Sequence, residues 1–204
     1  MGYTTDFYGQ LNITPPLKAE QVKYINLLGH TMRMKRDIKV LWDLYKGEHG
    51  NPFPTEKTPI RIYGHEGEFF AREDGNYGQT EDKSILDYNT PPGQMLSQGL
   101  ENFNKVWNVN QARIQGLNCQ PGLWCQWEVS ENGEILQWDG GEKFYNYIEW
   151  LKYLIDRFFK PWGVKLNGEI EWKGEDTDDI GKIVVKDNMV KAGRGVITYP
   201  ELED

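Results

Sequence analysis

The spacing of apolar side chains predicts an alternation of strands and helices along the first half of the chain. Residues 3–13 alternate between apolar and polar positions, which predicts a strand. Apolar residues then recur at helical spacing over residues 17–31 and 38–45, which predicts two helices. Short apolar segments separated by glycines predict two or three short strands between residues 59 and 92.

The C-terminal third carries the clearest pattern. Alternation over residues 123–129, a turn at 130–134 and a second apolar segment predict a β-hairpin. A continuous helical stripe follows over residues 144–158, and alternation resumes from 164 to 199. This ββαββ order with one further strand predicts a single α+β domain over residues 1–204. In this domain the long aromatic helix packs on one face of a mainly antiparallel sheet.

Aromatic side chains are concentrated in the same third, because five of the eight tryptophans lie between residues 122 and 163. Trp127 and Trp172 occupy inward positions of predicted strands. Most of the aromatic mass is therefore predicted to be core, since large rings fill a layer of helix on sheet. Trp150 and Tyr153 lie off the main stripe of the predicted helix. Either a second element covers that side of the helix, or these two side chains are exposed.

Eight segments carry a resemblance to a known family: "MGYTTDF", "MKRD", "YGHEGEFF", "SILDYNTPPG", "PGLWCQW", "WDGGEKFYNYIEWLKYLI", "KPWG" and "LNGEIEWKGEDTDDIGKIVVKDN". Together they resemble a family of small proteins from bacterial and bacteriophage genomes that has no assigned activity. The resemblance therefore implies no catalytic residues. A looser similarity, in the order of elements and in Trp-rich strands only, is to ferredoxin-like domains.

Residues 94–120 depart from that family, in which the equivalent of "TPPGQ" runs directly into "PGLWCQW". Leu100, Phe103 and Trp107 fall on one helical stripe here, and the opposite side is rich in Asn and Gln. The pattern predicts a helical insertion into an otherwise complete domain. Such a helix must bury its apolar stripe on the surplus aromatics of the main helix, on a second copy of the chain or on a partner.

We expect this insertion to contribute to self-association or to a partner interface, through the stripe and through Trp150 and Tyr153, and to be dispensable for folding. Deleting residues 95–118 and measuring the molar mass by light scattering tests this. The expectation fails if the deletion variant unfolds, or if it folds with unchanged mass and retains every partner.

Composition and charge narrow the classes of function. The chain has 204 residues and a net charge of -8. Residues 1–60 hold 8 basic and 6 acidic side chains, whereas residues 131–204 hold 10 and 16. A general nucleic-acid binder is disfavoured, because such proteins need clustered Lys and Arg, and only "RMKRDIK" approaches that. Apolar segments are too short to span a membrane. The two cysteines, Cys119 and Cys125, favour free thiols in the cytoplasm, which is the host cytoplasm if a phage encodes the chain.

Two polar segments are candidates for ligand binding. His65 and Glu66 in "YGHEGEFF" can form a base beside a carboxylate, or only a turn between strands. Asp87, Tyr88 and Asn89 precede "TPPG" at a predicted strand end, where binding groups are common, although Asp and Asn also stabilise turns.

Two further segments are candidates for binding an anion. The exposed N–H groups of Gly140 and Gly141 can receive one before the aromatic helix, or Asp139 can cap that helix itself. Basic side chains in "RMKR" can contact the phosphates of a small nucleotide, or can form a solvated helix end. These basic side chains are Arg33, Lys35 and Arg36.

The sequence contains no signature that points to a metal or a cofactor. The three histidines are spread over separate segments, and no P-loop, G-x-S-x-G or G-x-G-x-x-G motif occurs. The leading hypothesis is a non-enzymatic binding protein of phage or mobile-element type that acts on a host protein or a small nucleotide signal, with counter-defence as its role. The alternative is an enzyme acting on a nucleotide or another small anion, with Asp87, Glu66 or His65 as acid or base. A role in virion assembly is the third hypothesis.

Overall fold

The structure is a computed structural model and describes residues 2–73, 82–94 and 119–198. Residues 95–118 of the predicted insertion, with Leu100, Phe103 and Trp107, lie outside the described residues. The strands are β1 Thr5–Thr14, β2 Lys35–Arg36, β3 Ile85–Asp87, β4 Trp127–Val129, β5 Ile135–Trp138, β6 Lys165–Gly174, β7 Ile180–Lys186 and β8 Met189–Arg194. The helices are α1 Ala19–His30, α2 Ile38–Tyr45, α3 Pro59–Tyr63 and α4 Tyr147–Leu154.

A six-stranded antiparallel sheet forms the main layer, with the strands in the order β4-β5-β1-β6-β7-β8. The α+β class predicted from the sequence is therefore confirmed. The first strand lies at the centre, where Leu11 pairs with Leu136 of β5 and with Gly168 of β6. Because β5 and β6 both run antiparallel to β1, they are parallel to each other, and α4 connects them. This is a split β-α-β unit, an arrangement that ferredoxin-like folds also use.

Close contact between β1 and β6 depends on glycine. A Cβ atom on Gly168 would lie 2.6 Å from the carbonyl oxygen of Gln10, and the φ of Gly168 is +147°. A side chain at this position would therefore separate the two central strands.

One face of the sheet is covered by α1 and α4. The buried side chains of this core alternate along the strands as the sequence predicts, with Leu166, Ile170 and Trp172 inward on β6. The aromatic helix begins at Tyr147, later than its predicted stripe, and Phe144 is buried before the helix starts. Its last turn, Ile155–Phe159, is a π-helix.

A second element covers the side of α4 that carries Trp150 and Tyr153. Trp150 is 0% and Tyr153 7% exposed. Gly122 lies against the indole of Trp150, and the hydroxyl of Tyr153 contacts Gln120 and Glu68. The expectation that these two aromatics form part of an interface therefore needs correction, because both are core residues.

A side lobe, formed by residues 35–70 and 82–94, packs beside the main layer. It has its own small core, in which the side chains of Leu41, Ile62, Tyr63 and Phe70 are buried. Its helix α3 corrects the prediction of a strand here. Pro59 stands at the first helical turn after Thr58, and its fixed φ favours a helix start over the apolar alternation of "IRIY".

Cys119 and Cys125 do not form a disulfide, as predicted, and Cys125 is buried. Burial raises the pKa of the Cys125 thiol to about 12, so it remains protonated and unreactive at neutral pH. No helix in the described ranges is long and apolar enough to cross a membrane.

Candidate functional site

Six of the predicted ligand-binding residues meet in the side lobe. They lie on or beside the two-stranded sheet that β2 forms with β3, and they are Lys35, His65, Glu66, Asp87, Tyr88 and Asn89. The pairing of the two strands is antiparallel and places Lys35 opposite Asp87. The structure thus brings together residues that are up to 54 positions apart in the sequence.

Glu66 is the centre of this cluster. Its carboxylate accepts from the ammonium of Lys35 at 3.0–3.1 Å and from the backbone N–H of Gly93 at 2.9 Å. The residue has a φ of +53°, a left-handed conformation that costs a residue with a side chain about 1–2 kcal/mol. These contacts hold Glu66 in that conformation, and strain of this kind is frequent at functional sites.

His65 is exposed next to Glu66 but does not form an acid–base pair with it. Its Nδ1 atom lies 3.6 Å from the carboxylate of Glu66, which is too long for a hydrogen bond. The histidine side chain is 71% exposed, so water competes with Glu66 for hydrogen bonds to the imidazole ring.

Asp87 stabilises a turn, as the alternative interpretation of this segment predicts. Its carboxylate accepts from the backbone N–H of Asn89 at 2.9 Å and from the hydroxyl of Thr90 at 2.5 Å. The chain therefore turns tightly after β3, and Leu86, Tyr88 and Asn89 are left exposed. We call these three side chains the β3 surface. Leu86 lies on β3, and Tyr88 lies in the bend that directly follows this strand.

The basic segment "RMKR" is not a solvated helix end, because α1 ends at His30 and the segment leads into β2. Arg36 is buried, ion-paired with Asp82 and stacked on Phe70 at 4.5 Å. Burial raises the pKa of the Asp82 carboxyl, but the bonds from Ser84 and Arg36 outweigh it, so the pKa lies below its ordinary value.

Arg33 is also buried and is not available to a ligand. Its guanidinium donates to the side chain of Gln120 and to backbone carbonyls, among them that of Phe70 at 2.6 Å. Burial lowers the pKa of Arg33 to about 10, and the side chain remains charged at neutral pH. Arg33 thus joins the side lobe to Gln120, and Arg36 is paired within the lobe, so neither guanidinium is available to a phosphate.

A buried polar network between the side lobe and the core was not predicted from the sequence. The Glu68 carboxylate receives two bonds from Arg157, at 2.7 and 2.6 Å, and one from the hydroxyl of Tyr153 at 2.8 Å. Burial raises the pKa of Tyr153 well above its ordinary value, so the hydroxyl remains a donor. The partners are 89 positions apart, and the one local signal is a charged Arg157 among apolar helix positions.

Gly140 and Gly141 lie apart from this cluster and do not stand at a helix start. The aromatic helix begins later, after Asn146, and the N–H of Gly141 donates to the carboxylate of Asp139 at 2.7 Å. Asp139 therefore occupies the position that an anion would need. It closes a local turn instead of capping the helix, and burial raises its pKa.

The described ranges contain no group of three or more His, Cys, Asp or Glu side chains that could hold a metal ion. Comparisons with protein-family models, with curated proteins and with solved structures gave no match to this chain.

Proposed function

We propose that this protein is a non-enzymatic binding protein of phage or mobile-element type that engages a host protein in the host cytoplasm, with counter-defence as its role. The observation that carries the proposal is the β3 surface. Leu86 on β3 is 58% exposed, and Tyr88, directly after β3, is 40% exposed. Both side chains of the neighbouring strand β2 are buried in ion pairs. The apolar side chains therefore stand on a fixed support.

A fixed support favours binding because little conformational entropy is lost when a partner arrives. Tyrosine is also enriched among the side chains that contribute most to the free energy of protein–protein association. Leu86 and Tyr88 thus combine apolar area with a hydroxyl that can pair with a partner. Asn89 next to them adds an amide that both donates and accepts.

The same geometry supports binding over catalysis. A general base must have an oxygen or nitrogen available to the substrate proton. The carboxylate of Glu66 already accepts hydrogen bonds from Lys35 and Gly93. The carboxylate of Asp87 accepts them from Asn89 and Thr90. In the enzyme alternative, Asp87 or Glu66 would act in competition with these contacts. The exposed His65 makes no hydrogen bond to the Glu66 carboxylate that would orient its ring.

A variant that carries charge on the β3 surface is expected to lose its protein partner. We would purify the wild type, a Leu86→Glu/Tyr88→Glu variant and a control from host cells and analyse each by native mass spectrometry. The control, Val184→Glu/Met189→Glu, adds the same charge at exposed apolar positions of the other sheet. The expected result is a bound polypeptide on the wild type and the control but not on the β3 variant, with equal unfolding midpoints.

Two outcomes contradict the proposal. The first is a polypeptide that the β3 variant retains as well as the wild type does. The second is conversion of a nucleotide by the wild type that is lost on replacing His65, Glu66 or Asp87 by alanine, which would establish the enzyme alternative.

A further inference from the structure

The two edges of the six-stranded sheet differ in how they are closed. At one edge, the side-chain amide of Asn26 on α1 donates to the carbonyl of Val129 on β4 and accepts from its N–H, both at 2.8 Å. At the other edge, β8 is six residues long and contains no proline. Free strand edges are templates for pairing with another chain, and proteins ordinarily cover or interrupt them. A further strand can therefore be added at β8.

The outer side of β8 presents the backbone groups of alternate residues. The N–H of Gly195 donates to the carbonyl of Ile180 at 2.8 Å, so the odd-numbered residues of this strand direct their backbone groups toward β7. The backbone groups of Val190, Ala192 and Arg194 are therefore directed away from the sheet. Within the part of the chain that the structure describes, these outward N–H groups have no hydrogen-bond partner.

Exposed apolar side chains lie at both ends of this free strand. Met189, the first residue of β8, is 62% exposed, and Val196, just past its end, is 84% exposed. Ile197 is exposed as well, and Val190 is only partly buried against the core. We call residues 189–197 the β8 edge. Two copies of this edge that run antiparallel bring the start of each next to the end of the other.

One antiparallel register pairs the exposed apolar side chains with each other. When the two Gly193 residues lie opposite each other across a two-fold axis, Met189 faces Ile197 of the second copy. Val190 faces Val196 of the second copy in the same register. Apolar pairs directly opposite each other stabilise antiparallel strands, and the two-fold axis makes each pair occur twice.

The same register matches the backbone groups and separates the lysines. Ala192 lies opposite Arg194 of the second copy, and the two residues exchange hydrogen bonds because both direct their backbone groups outward. Lys191 lies opposite Gly195, so the Cα atoms of the two Lys191 residues are about 14 Å apart, beyond the Debye length of about 8 Å. Registers centred on Lys191 or Arg194 would place like charges directly opposite each other. A register centred on Ala192 would pair Val190 with Arg194 instead of with an apolar side chain.

We infer that β8 pairs with β8 of a second copy and joins the two six-stranded sheets into one antiparallel sheet. Each copy contributes the same residues to this interface, as two-fold symmetry requires. The β8 edge and the β3 surface consist of different residues and belong to different sheets, so this inference and the proposed host partner stand or fall separately. The Val184→Glu/Met189→Glu variant can thus lose the second copy and still retain a polypeptide at the β3 surface.

Sedimentation velocity of the full chain across a dilution series measures the association. The expected mass is twice the 23.8 kDa of one chain, and it should fall toward that of one chain on dilution. Gly193→Lys should give a monomer because two lysines would lie directly opposite each other, whereas the uncharged Gly193→Thr should keep the dimer. A Cβ on Gly193 has no neighbour within 4 Å in the single chain, so both variants should fold.

Two outcomes of this experiment overturn the inference. The first is a wild type that remains a monomer up to millimolar concentration. The second is a Gly193→Lys variant that associates as strongly as Gly193→Thr does.

Cysteine cross-linking tests the register itself. Opposite residues that exchange no hydrogen bonds have Cα atoms about 4.5 Å apart, within the reach of a disulfide. In a Cys119→Ser background, in which the remaining Cys125 is buried, Gly193→Cys should form an intermolecular disulfide under mild oxidation. Lys191→Cys is the matched control, because its two sulfur atoms would be too far apart. Intact mass under non-reducing conditions reads the result, and equal cross-linking of both variants, or none at residue 193, overturns the inference.

Discussion

Replacing Glu68 by glutamine is expected to lower the free energy of unfolding by about 3 kcal/mol, the lower end of the range for breaking a buried ion pair. Glu68 is buried, and its carboxylate is the ion-pair partner of Arg157. Burial lowers the pKa of Arg157, but the Glu68 carboxylate raises it more, which shows how strongly the pair is coupled. Glutamine keeps the shape but leaves a partly buried guanidinium without a counter-charge. Urea denaturation followed by circular dichroism measures the loss.

A surface ion pair provides the matched control. Glu169→Gln removes a partner of Lys182 at a site where both side chains are largely exposed, so the change should stay below about 1 kcal/mol. The Glu68→Met/Arg157→Met double variant should lose less than the sum of the two single variants. A Glu68→Gln midpoint equal to that of the wild type would show that the network does not hold the side lobe to the core.

Replacing Trp172 by alanine is expected to cost about 3–5 kcal/mol of unfolding free energy. Trp172 lies on β6 between Phe7 of β1 and Gly181 of β7, and its ring packs 5.7 Å from that of Tyr147 on α4. The ring covers Gly181 so closely that a Cβ there would lie 2.1 Å from it. Alanine would leave a cavity in the centre of the layer.

Two comparisons separate packing from hydrogen bonding at this position. The indole N–H donates to Asp179 at 3.2 Å, and Trp172→Phe removes this bond while keeping an aromatic ring. We expect Trp172→Phe to lose less than half of the unfolding free energy that Trp172→Ala loses. A Trp172→Ala variant with an unchanged urea midpoint would mean that the ring is exposed and that the strand register is wrong.

The strands β1 and β6 could be predicted from sequence because one face of each is buried. Alternation then reports directly which side faces the core, as it does along β1 and β6. The central place of β1 could not be predicted, because its pairing with β6 joins residues about 160 positions apart and leaves no local signal. The helix α3 was missed because a five-residue segment is too short for periodicity to distinguish helix from strand.

The candidate site was predicted in part. Glycine and aspartate residues in the sequence indicate turns at these positions. The structure places the turn at Glu66 and the turn after Asp87 at the same small sheet. Burial of charge was not predictable, because Arg36 is paired with Asp82 from another segment and local sequence cannot show such a partner. A cluster of basic residues is typical of a solvated surface, and tertiary ion pairing reversed that expectation here.

Hydrogen–deuterium exchange tests whether a host protein binds the β3 surface. The protein would be compared alone and in complex with the polypeptide that the wild type captures. We expect slower exchange in peptides covering residues 84–90 on complex formation, because a partner shields this turn from solvent. Peptides covering residues 180–194 should exchange at the same rate in both states. Slower exchange over 180–194, with residues 84–90 unchanged, would contradict binding at the β3 surface.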